Sequence, residues 1–593
     1  MRDLFVTDTF ELDLSRISIS YQEENPRFKD TFFTQFSLPF EFYMNADLRV
    51  KMGNYTAINA LRLKKKHEGY HVMDGRARKG TLEILSIEGE LVQAQIESGF
   101  EQLPNFEKKL CDLPLAKVAV DNIYEHANVV CRKRYPEVDY NFPRVVYNKD
   151  NSQSGWEAFE GFLNHTRNGA FINNSEDSGN RVVRNIIHPM PYLLYVLKKG
   201  FADAGYTLAG DILTDEDFLQ QVIYSGKEYY KTSEQQEVNM TPQRDSLTQQ
   251  REVSGVVFGK YQSETTLDKV GKWRLVCNNA HILTHGEPFI YRVRLDGVVI
   301  REGAISERQS TLSFTQVIAI ETGGAHQLRC EFEGAWNSPI ELYLNIIAQH
   351  DAQGNVIEQV INNNEVDLKR AVPDITFGDL VKTIKNWKNY DLEIQGDKIF
   401  MNRIHTENRL QMKDFRHFAI KDPKKTLTTK ESYLIKFPDM DEAKHNYPAV
   451  LIDENGMQLS QGEQQGSSQV NIEGYCLPKV LYRGEHSCIP RKNGGNVLGL
   501  IWYDGLRYGN KNEGETREEL LPPKVTKYWE EWYKMRLSSY ELSWSFIANK
   551  NQIREFALRD TLYVYGQRFF IKSITKNTLS RECYQVEITL INV

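Results

Sequence analysis

The most suggestive catalytic pattern is the pentapeptide HEGYH at 67–71, which matches the H-E-x-x-H motif of zinc proteases. That chemistry requires a helix, because helical spacing puts both histidines on one face with the glutamate as general base. Gly69 interrupts the pattern and three lysines precede it, so the segment is typical of an exposed loop or hairpin. In an extended strand His67 and His71 would lie about 13 Å apart. We therefore expect no zinc here.

A second group, His281, His285 and Glu287, has possible metal-ligand spacing at a predicted junction between strands. A solvated loop is the favoured interpretation. No G-x-x-x-x-G-K-S/T, G-x-G-x-x-G or G-x-S-x-G pattern occurs, so neither a phosphate-binding loop nor a hydrolase nucleophile elbow is predicted. We expect no catalytic residues, no metal and no cofactor, and hence no enzymatic activity.

Aromatic side chains are dense between 528 and 546. Tyr and Trp are common in both cores and interfaces, so the cluster is either internal packing or the anchor of a subunit contact, and a sugar-stacking platform is a further alternative. The candidate interface anchors are Tyr528, Trp529, Trp532, Tyr533 and Trp544.

Composition restricts the class of protein. At roughly 150 residues per domain, 593 residues predict about four domains. Hydrophobic residues make up 40% and charged residues 26%, which excludes wholesale disorder. The net charge of −7 makes binding of nucleic acid over the whole surface a poor hypothesis. There is no run of about 18 apolar residues, so no membrane span is predicted.

The seven cysteines are odd in number, widely spaced and without a C-x-x-C pair. A disulfide framework or zinc ribbon is therefore not expected, and the chain has the features of a protein that folds in a reducing cytoplasm. Acidic residues interrupt the first 30 positions, so no secretory signal peptide is predicted.

Alternation of apolar and polar residues predicts β-rich segments at both ends of the chain. Val92, Ala94 and Ile96 alternate with glutamines, and the last strand points Tyr584, Val586, Ile588 and Leu590 to one face. Residues 253–350 repeat this pattern, with a hairpin turn at Asp296-Gly297, and have the size of one β-sandwich.

The remaining segments are more helical. Leu193, Leu194, Leu197 and Phe201 have helical spacing in 104–240, and Thr214 to Asp217 resembles a capping box. Residues 231–252 are polar and predict a linker. In 366–407, Thr376 and Asp379 predict the start of a helix that is followed by a hairpin.

Four segments resemble tail-tip, or baseplate, hub proteins of tailed bacteriophages. They are SISYQEENPRFKDTFFTQFSLPF (18–40), HPMPYLLYVLKKGFADAGYTLAGDILTDEDF (188–218), VPDITFGDLVKTIKNW (372–387) and the closing GQRFFIKSITKN…CYQVEITLINV (566–593). Together they cover about a fifth of the chain and keep the family's order.

The resemblance implies a mainly β fold with α insertions, an α+β class. It implies two β-barrel-like hub domains, at 1–103 and 408–593, with a helical insertion at 104–240, a β-sandwich insertion at 253–350 and a helix-hairpin unit of the second hub domain at 366–407. It further implies a structural virion protein, assembled in the host cytoplasm and located at the tail tip. Its partners would be two further copies in a homotrimer, the tail tube and a spike or other tail-tip proteins, with possible host-surface contact and DNA only in transit.

Two alternatives remain open at this point. A multidomain β protein could bind glycans through a lectin-like module at 253–350. A cell-wall or glycan hydrolase is the second alternative, although no motif in the sequence supports one.

Overall fold

A computed structural model of the chain describes most of the sequence. The described residues are 3–28, 34–53, 55, 57, 63–73, 76–99, 103–147, 156–177, 180–230, 238–244, 251–253, 256–284, 286–335, 340–350, 356–357, 362, 364–405, 412–427, 432–442, 446–460, 467–491, 496–506, 512–580 and 582–593.

The chain opens with strands and one short helix. They are β1 Leu4–Val6, β2 Glu11–Asp13, β3 Ser20–Glu24, β4 Thr34–Ser37, β5 Phe40–Tyr43, α1 Ala46–Met52, β6 Lys66–Met73, β7 Arg76–Glu88 and β8 Leu91–Gly99. Val92, Ala94 and Ile96 of β8 are buried, as their alternation predicts. Gly89, with φ 63°, makes the tight turn between β7 and β8.

Short strands and three helices follow. They are β9 Lys117–Ala119, α2 Ile123–Val130, β10 Tyr140–Asn141, β11 Val145–Val146, β12 Phe162–Leu163, β13 Thr166–Arg167, β14 Ala170–Phe171, β15 Ser175–Asp177, β16 Asn180–Val182, β17 Met190–Pro191, α3 Leu193–Asp203, β18 Thr207–Ala209, α4 Glu216–Leu219 and β19 Gln221–Tyr224. The predicted helix after Pro191 is confirmed as α3. The second helix, α4, has four residues, and Asp215 rather than Thr214 caps it.

The inserted segment is a two-sheet β structure. Its strands are β20 Val238–Met240, β21 Gln243–Arg244, β22 Arg251–Val253, β23 Val256–Leu267, β24 Gly271–Leu283, β25 Phe289–Leu295, β26 Val298–Ile305, β27 Gln309–Ile320, β28 His326–Gly334, β29 Leu342–His350 and β30 Val356–Ile357. One sheet contains β20, β24, β27, β29 and β30, the other β21, β22, β23, β25, β26 and β28. Asp296 and Gly297 both have positive φ in the predicted hairpin turn.

The predicted linker at 231–252 is partly wrong, because β20 and β21 lie within it and pair with β29 and β23. Met240 is buried there, so the sandwich begins earlier than the alternation predicts. Residues 231–237 and 245–250 lie outside the described part of the chain.

The last part of the chain returns to mixed structure and then to long strands. Its elements are β31 Glu365–Asp367, α5 Phe377–Trp387, β32 Tyr390–Gln395, β33 Lys398–Arg403, β34 Met412–Asp414, β35 Lys424–Leu427, β36 Ser432–Lys436, β37 Ala449–Asp453, β38 Gly456–Ser460, β39 Ser467–Asn471, β40 Gly474–Cys476, β41 Lys479–Tyr482, β42 Glu485–Cys488, β43 Leu498–Trp502, α6 Pro522–Val525, α7 Glu530–Ser538, β44 Tyr540–Asn549, α8 Lys550–Arg554, β45 Thr561–Val564, β46 Gln567–Thr578 and β47 Cys583–Asn592. Thr376 and Asp379 form the predicted capping box of α5.

The first and last β segments join in one sheet, which has fourteen strands in the described residues. Its main path runs β2-β1-β6-β7-β8-β4-β3-β46-β47-β44-β35, with β5 beside β8 and the pair β34-β45 beside β46. The two predicted β-barrel-like units therefore share a sheet, which pairing among the described residues leaves open at β2 and β35. The predicted class, mainly β with α insertions, is confirmed.

Four hydrophobic cores lie in the described residues. Two flank the shared sheet, one on the side of β1–β8 and one on the side of β44–β47. A third fills the sandwich. The largest combines residues from 103–230, 366–401 and 433–533 with Phe570 of β46. In this large core α3 crosses α5 so closely that a Cβ on Gly200 would meet the Phe377 ring at 2.1 Å.

Candidate functional site

The HEGYH segment lies in strand β6, which pairs antiparallel with β7. The hairpin alternative is therefore confirmed, and the exposed loop is wrong. His67 and His71 are both buried, with partners on neighbouring elements. His67 Nε2 lies 2.7 Å from the Tyr55 hydroxyl, and His71 Nδ1 lies 3.2 Å from Ser98 Oγ. Burial lowers the pKa of both histidines, that of His71 to about 3. The helix that H-E-x-x-H chemistry requires is therefore replaced by an extended strand.

Two of the three members of the second candidate metal group lie in the described residues. His281 is exposed on β24, Glu287 is exposed in the following turn, and His285 lies outside the described residues. More generally, no three His, Cys, Asp or Glu side chains of the described residues come together in an arrangement that could hold a metal ion.

The aromatic cluster packs inside the chain, which corrects its assignment as an interface anchor. Trp529, Trp532 and Tyr533 belong to the largest core, and Trp544 belongs to the core beside β47. The indole of Trp529 donates to the Asn386 carbonyl at 3.1 Å, and that of Trp544 to the Phe418 carbonyl at 2.9 Å.

Tyr528 is the one member of the predicted set that is half-buried rather than buried. The ammonium groups of Lys388 and Lys527 lie 4.8 and 5.0 Å from its ring centroid, so this ring stacks with cations of its own chain. The aromatic cluster therefore stabilises the fold of its own chain.

The feature that unites the most distant parts of the sequence is the pairing of β3 with β46, which we call the seam. Its register runs from Ser20 opposite Asn577 to Glu24 opposite Ser573. Asn25 extends the contact, because its side-chain amide donates to the carbonyls of Leu558 at 2.8 Å and Ile571 at 2.7 Å.

Buried ion pairs accompany the seam. Asp3 pairs with Lys550, and Glu23 with Lys576 at 2.8 Å, so each pair joins β1–β8 to the C-terminal strands. All four side chains are less than a tenth exposed. Because removing Lys550 would leave the Asp3 carboxylate buried without its cation, this pair makes the two segments dependent on one another. Arg78 lies 3.9 Å from Glu23 and is a second cation beside that carboxylate.

A third buried ion-pair group ties the seam to the helix-hairpin unit. Asp391 of β32 accepts from Arg27 at 2.8 Å and from Arg559 at 3.3 Å. Arg559 also contacts Glu393, and burial lowers the pKa of Arg559 to about 10. The hairpin β32–β33 is thereby fixed against both terminal β segments.

A cavity of about 530 Å³ lies beside the seam. Its walls combine charged side chains, including Glu23, Arg78, Arg559 and Lys576, with apolar ones such as Phe556. Glu23 and Lys576 are paired with each other, and Arg559 is paired with Asp391 and Glu393. The described lining residues include no Ser, Thr, Cys or Tyr that could serve as a nucleophile.

Sequence reasoning missed the seam residues, although one signal was present. Glu23 continues the inward face of Ile19 and Tyr21, and Lys576 continues that of Ile574. A charged residue at an inward strand position requires a partner, because an isolated buried charge is costly. The sequence does not identify that partner when it lies 553 positions away.

The fold and the seam define a multidomain β protein with α insertions. No known family model matches the sequence, and no curated protein matches it. In the described residues no helix has the length and apolar character needed to cross a bilayer.

Three solved structures give weak partial matches. A family 35 carbohydrate-binding module from Clostridium thermocellum is 11% identical, over 21% of this chain and 97% of that chain, with a TM-score of 0.12. The tail protein from Neisseria meningitidis MC58 is 8% identical, over 60% and 91%, with a TM-score of 0.20. The GH26-CBM35 β-(1,4)-mannanase from Podospora anserina is 12% identical, over 22% and 29%, with a TM-score of 0.12. TM-scores this low carry no argument about the present chain.

Proposed function

We propose that this chain is a structural virion protein, one protomer of a ring-shaped hub at the tail tip of a bacteriophage. The ring joins the tail tube to a spike or to host-contacting parts. The observation that carries the proposal is the seam, because it makes one continuous sheet from the first and last β segments.

The four segments that resemble hub proteins pack against one another in pairs, which supports the proposal. Segment 18–40 contains β3 and segment 566–593 contains β46, and these two strands form the seam. Segment 188–218 contains α3 and segment 372–387 contains α5, and these helices cross at Gly200 and Phe377. Segments widely separated in sequence therefore build a common framework.

The position of the sandwich also suits a hub. It leaves the framework after Tyr229 and returns before Asp367, and the Asp367 amide donates to the Tyr229 hydroxyl at 3.0 Å. An insertion whose two ends are adjacent leaves the pairing of the shared sheet uninterrupted. In the proposed hub this insertion would contact neighbouring proteins or the host surface.

The direct test of the proposal is its location in the virion. We expect cryo-electron microscopy of intact phage to place this chain on the tail axis between tube and spike, most simply as three copies. An antibody fragment that binds residues 253–350 would mark the position of the chain in the virion independently. Location in an off-axis fibre or in the capsid, or presence in infected cells without incorporation into virions, would contradict the proposal.

We also propose that the chain has no enzymatic activity. Purified protein should leave peptidoglycan and polysaccharide substrates intact. Turnover that disappears when a single carboxylate is replaced would refute this part of the proposal.

The alternative of a glycan-binding sandwich gains little from the described residues. Aromatic rings exposed on one face are the usual platform for stacking on planar or cyclic ligands. The exposed large apolar side chains in the described part of the sandwich are Val298, Val299 and Val317. Binding of the isolated sandwich to a glycan array would revive this alternative.

A further inference from the structure

The main path of the shared sheet has an open strand at each end in the described residues, β2 near the start of the chain and β35 in its last third. Off this path, β5 and β34 are also paired on one side only. β2 pairs with β1, and β35 pairs with β44, and the described strands place no partner on their other sides. An open edge presents main-chain N–H and C=O groups that can pair with another strand. Each copy of the chain therefore carries two different edges of one sheet.

The edge at β2 is acidic. The Leu14 amide donates to the Asp3 carbonyl and the Thr7 amide to the Phe10 carbonyl, so even-numbered residues bond to β1. By the alternation of an antiparallel pair, the main-chain groups of Glu11 and Asp13 point away from β1. Their side chains are exposed.

Two further charges border this edge. Asp8 is exposed and adds to its negative charge, whereas the exposed Arg16 opposes it. Asp13 also accepts a hydrogen bond from the Ser15 amide at 2.9 Å, which fixes one of its carboxylate oxygens.

The edge at β35 is basic. Lys424 and Lys425 are exposed, and the exposed Lys421 precedes them, with Asp422 as a nearby acid. All four side chains of β35 are exposed. The Lys425 ammonium lies 3.8 Å from the centroid of the Tyr540 ring, so this lysine is partly engaged within its own chain, and the Lys424 side chain is the other cation of the edge. Leu427 is 69% exposed at the end of the strand.

We infer that copies of this chain associate head to tail, with β35 of one copy adding to β2 of the next. Opposite charges across neighbouring strands stabilise a pair, and like charges destabilise it. Pairing β35 with a second β35 would oppose lysines, and pairing β2 with a second β2 would oppose carboxylates. Complementarity therefore favours the heterologous contact over a two-fold one.

A heterologous contact closes into a ring when its rotation fits, and otherwise extends as a filament. The inference deepens the proposed function, on which it rests for ring closure, by naming the surfaces that join one protomer to the next. The contact itself is argued from the two edges alone.

Charge reversal tests the contact in the full chain. One variant carries Lys424→Glu and Lys425→Glu, and a second carries Glu11→Lys and Asp13→Lys. Mass photometry and sedimentation velocity should show that the wild-type chain self-associates and that each variant does so about tenfold more weakly, since the attraction between the two edges becomes repulsion. The variant with all four substitutions should recover association, because its edges are again complementary.

The matched control is Lys369→Glu with Lys382→Glu, two exposed lysines away from both edges that give the same change in net charge. It should associate as the wild type does. Because all substituted side chains are exposed, unchanged circular dichroism and melting temperature will confirm that every variant is folded.

Three outcomes would overturn the inference: a monomeric wild-type chain at micromolar concentration, association that is insensitive to reversal at either edge, or a fourfold variant that does not recover. None of them bears on the axial location in the virion, which imaging tests separately. If charge reversal at the two edges does not change association, the protomers of the hub contact one another through other surfaces.

Discussion

Buried charged residues at the seam make the two halves of the shared sheet specific for each other. Main-chain pairing accepts almost any sequence, whereas a buried charge accepts only a partner of opposite sign at the correct position. Asp3 and Glu23 on one side meet Lys550 and Lys576 on the other. These side chains therefore select the register that brings the ends of the chain together.

The first prediction concerns Lys550→Met. This substitution leaves the Asp3 carboxylate buried without its cation, so we expect the unfolding free energy of the shared sheet to fall by roughly 3–5 kcal/mol. Denaturant unfolding followed by circular dichroism measures the change. Lys51→Met is the control, because its ion pair with Asp47 is largely exposed and is worth about 1 kcal/mol or less. Equal losses in the two variants would contradict the role given to the buried pair.

The second prediction is a pH dependence due to His71. Burial, with Arg78 adding to it, lowers its pKa to about 3, whereas the unfolded chain has the ordinary value of about 6.5. As the pH falls below 6.5 the unfolded state binds a proton that the folded state does not. Stability is therefore lost progressively down to about pH 3, by about 2 kcal/mol at pH 5.

His71→Phe should reduce this loss, since the ring still fills its place against Tyr21 but no longer titrates. The loss should not vanish, because burial also lowers the pKa of His188 to about 3. Unfolding free energies at pH 7 and pH 5 provide the comparison. An identical pH dependence in variant and wild type would refute the assignment to His71.

At the scale of elements, local signals predicted much of the fold. The alternation in the last strand placed Tyr584, Val586, Ile588 and Leu590 on one face, and all four are buried. The cap at Thr376 was also predicted, because a capping box depends on residues three positions apart. Signals of this kind need no knowledge of the rest of the chain.

The error at β6 has an identifiable cause. Gly69 was taken as a sign of a loop, but it lies opposite Gly80 in the centre of the sheet. A Cβ at Gly69 would meet the Val6 carbonyl oxygen at 2.3 Å, so glycine is required there by the close approach of β1. The same residue type indicates a turn in one context and close strands in another, and sequence alone does not separate the two.

The third prediction tests β3 as an element with partners on both sides. Gln22 lies opposite Phe36 of β4 and Thr575 of β46. The Leu38 amide donates to the Ser20 carbonyl, so by the alternation of an antiparallel pair the Gln22 N–H points to β4. Gln22→Pro should therefore cost about 3 kcal/mol or more and open the pairing of β3 with β4. Hydrogen exchange of β4 measures the opening. Glu11→Pro is the control, because its N–H points to the open edge and its loss should be tolerated. Unchanged protection of β4 in Gln22→Pro would contradict the prediction.

At the scale of the whole molecule, the cores do not follow the order of the sequence. The largest core takes residues from both sides of the sandwich, and the shared sheet takes them from both ends of the chain. Alternation identifies which face of a strand is buried, but it does not identify the strand beside it. For this reason the sequence patterns did not predict the seam or the largest core. They did predict the sandwich, because its strands are near one another in the chain.

The fourth prediction is that the sandwich and the framework are separable. Replacing 232–361 by a short Gly-Ser linker should change the unfolding free energy of the remaining framework by no more than about 1 kcal/mol. The reason is that Tyr229 and Asp367 already hold the two ends of the insertion together. The fragment 238–350 should unfold cooperatively by itself, since it has its own core. An insoluble framework or a fragment without a cooperative transition would show that each depends on the other.

The distance along the chain between the two strands of the seam has a consequence for synthesis. Glu23 leaves the ribosome early, and Lys576, its partner, is translated 553 residues later. At the rate of translation this leaves β3 without β46 for on the order of a minute. A chain truncated before β46 exposes the strand β3 without its seam partner and leaves Glu23 without Lys576. Completion of the sheet therefore requires that translation has passed β46, and copies truncated before β46 are kept out of any assembly that requires the closed seam.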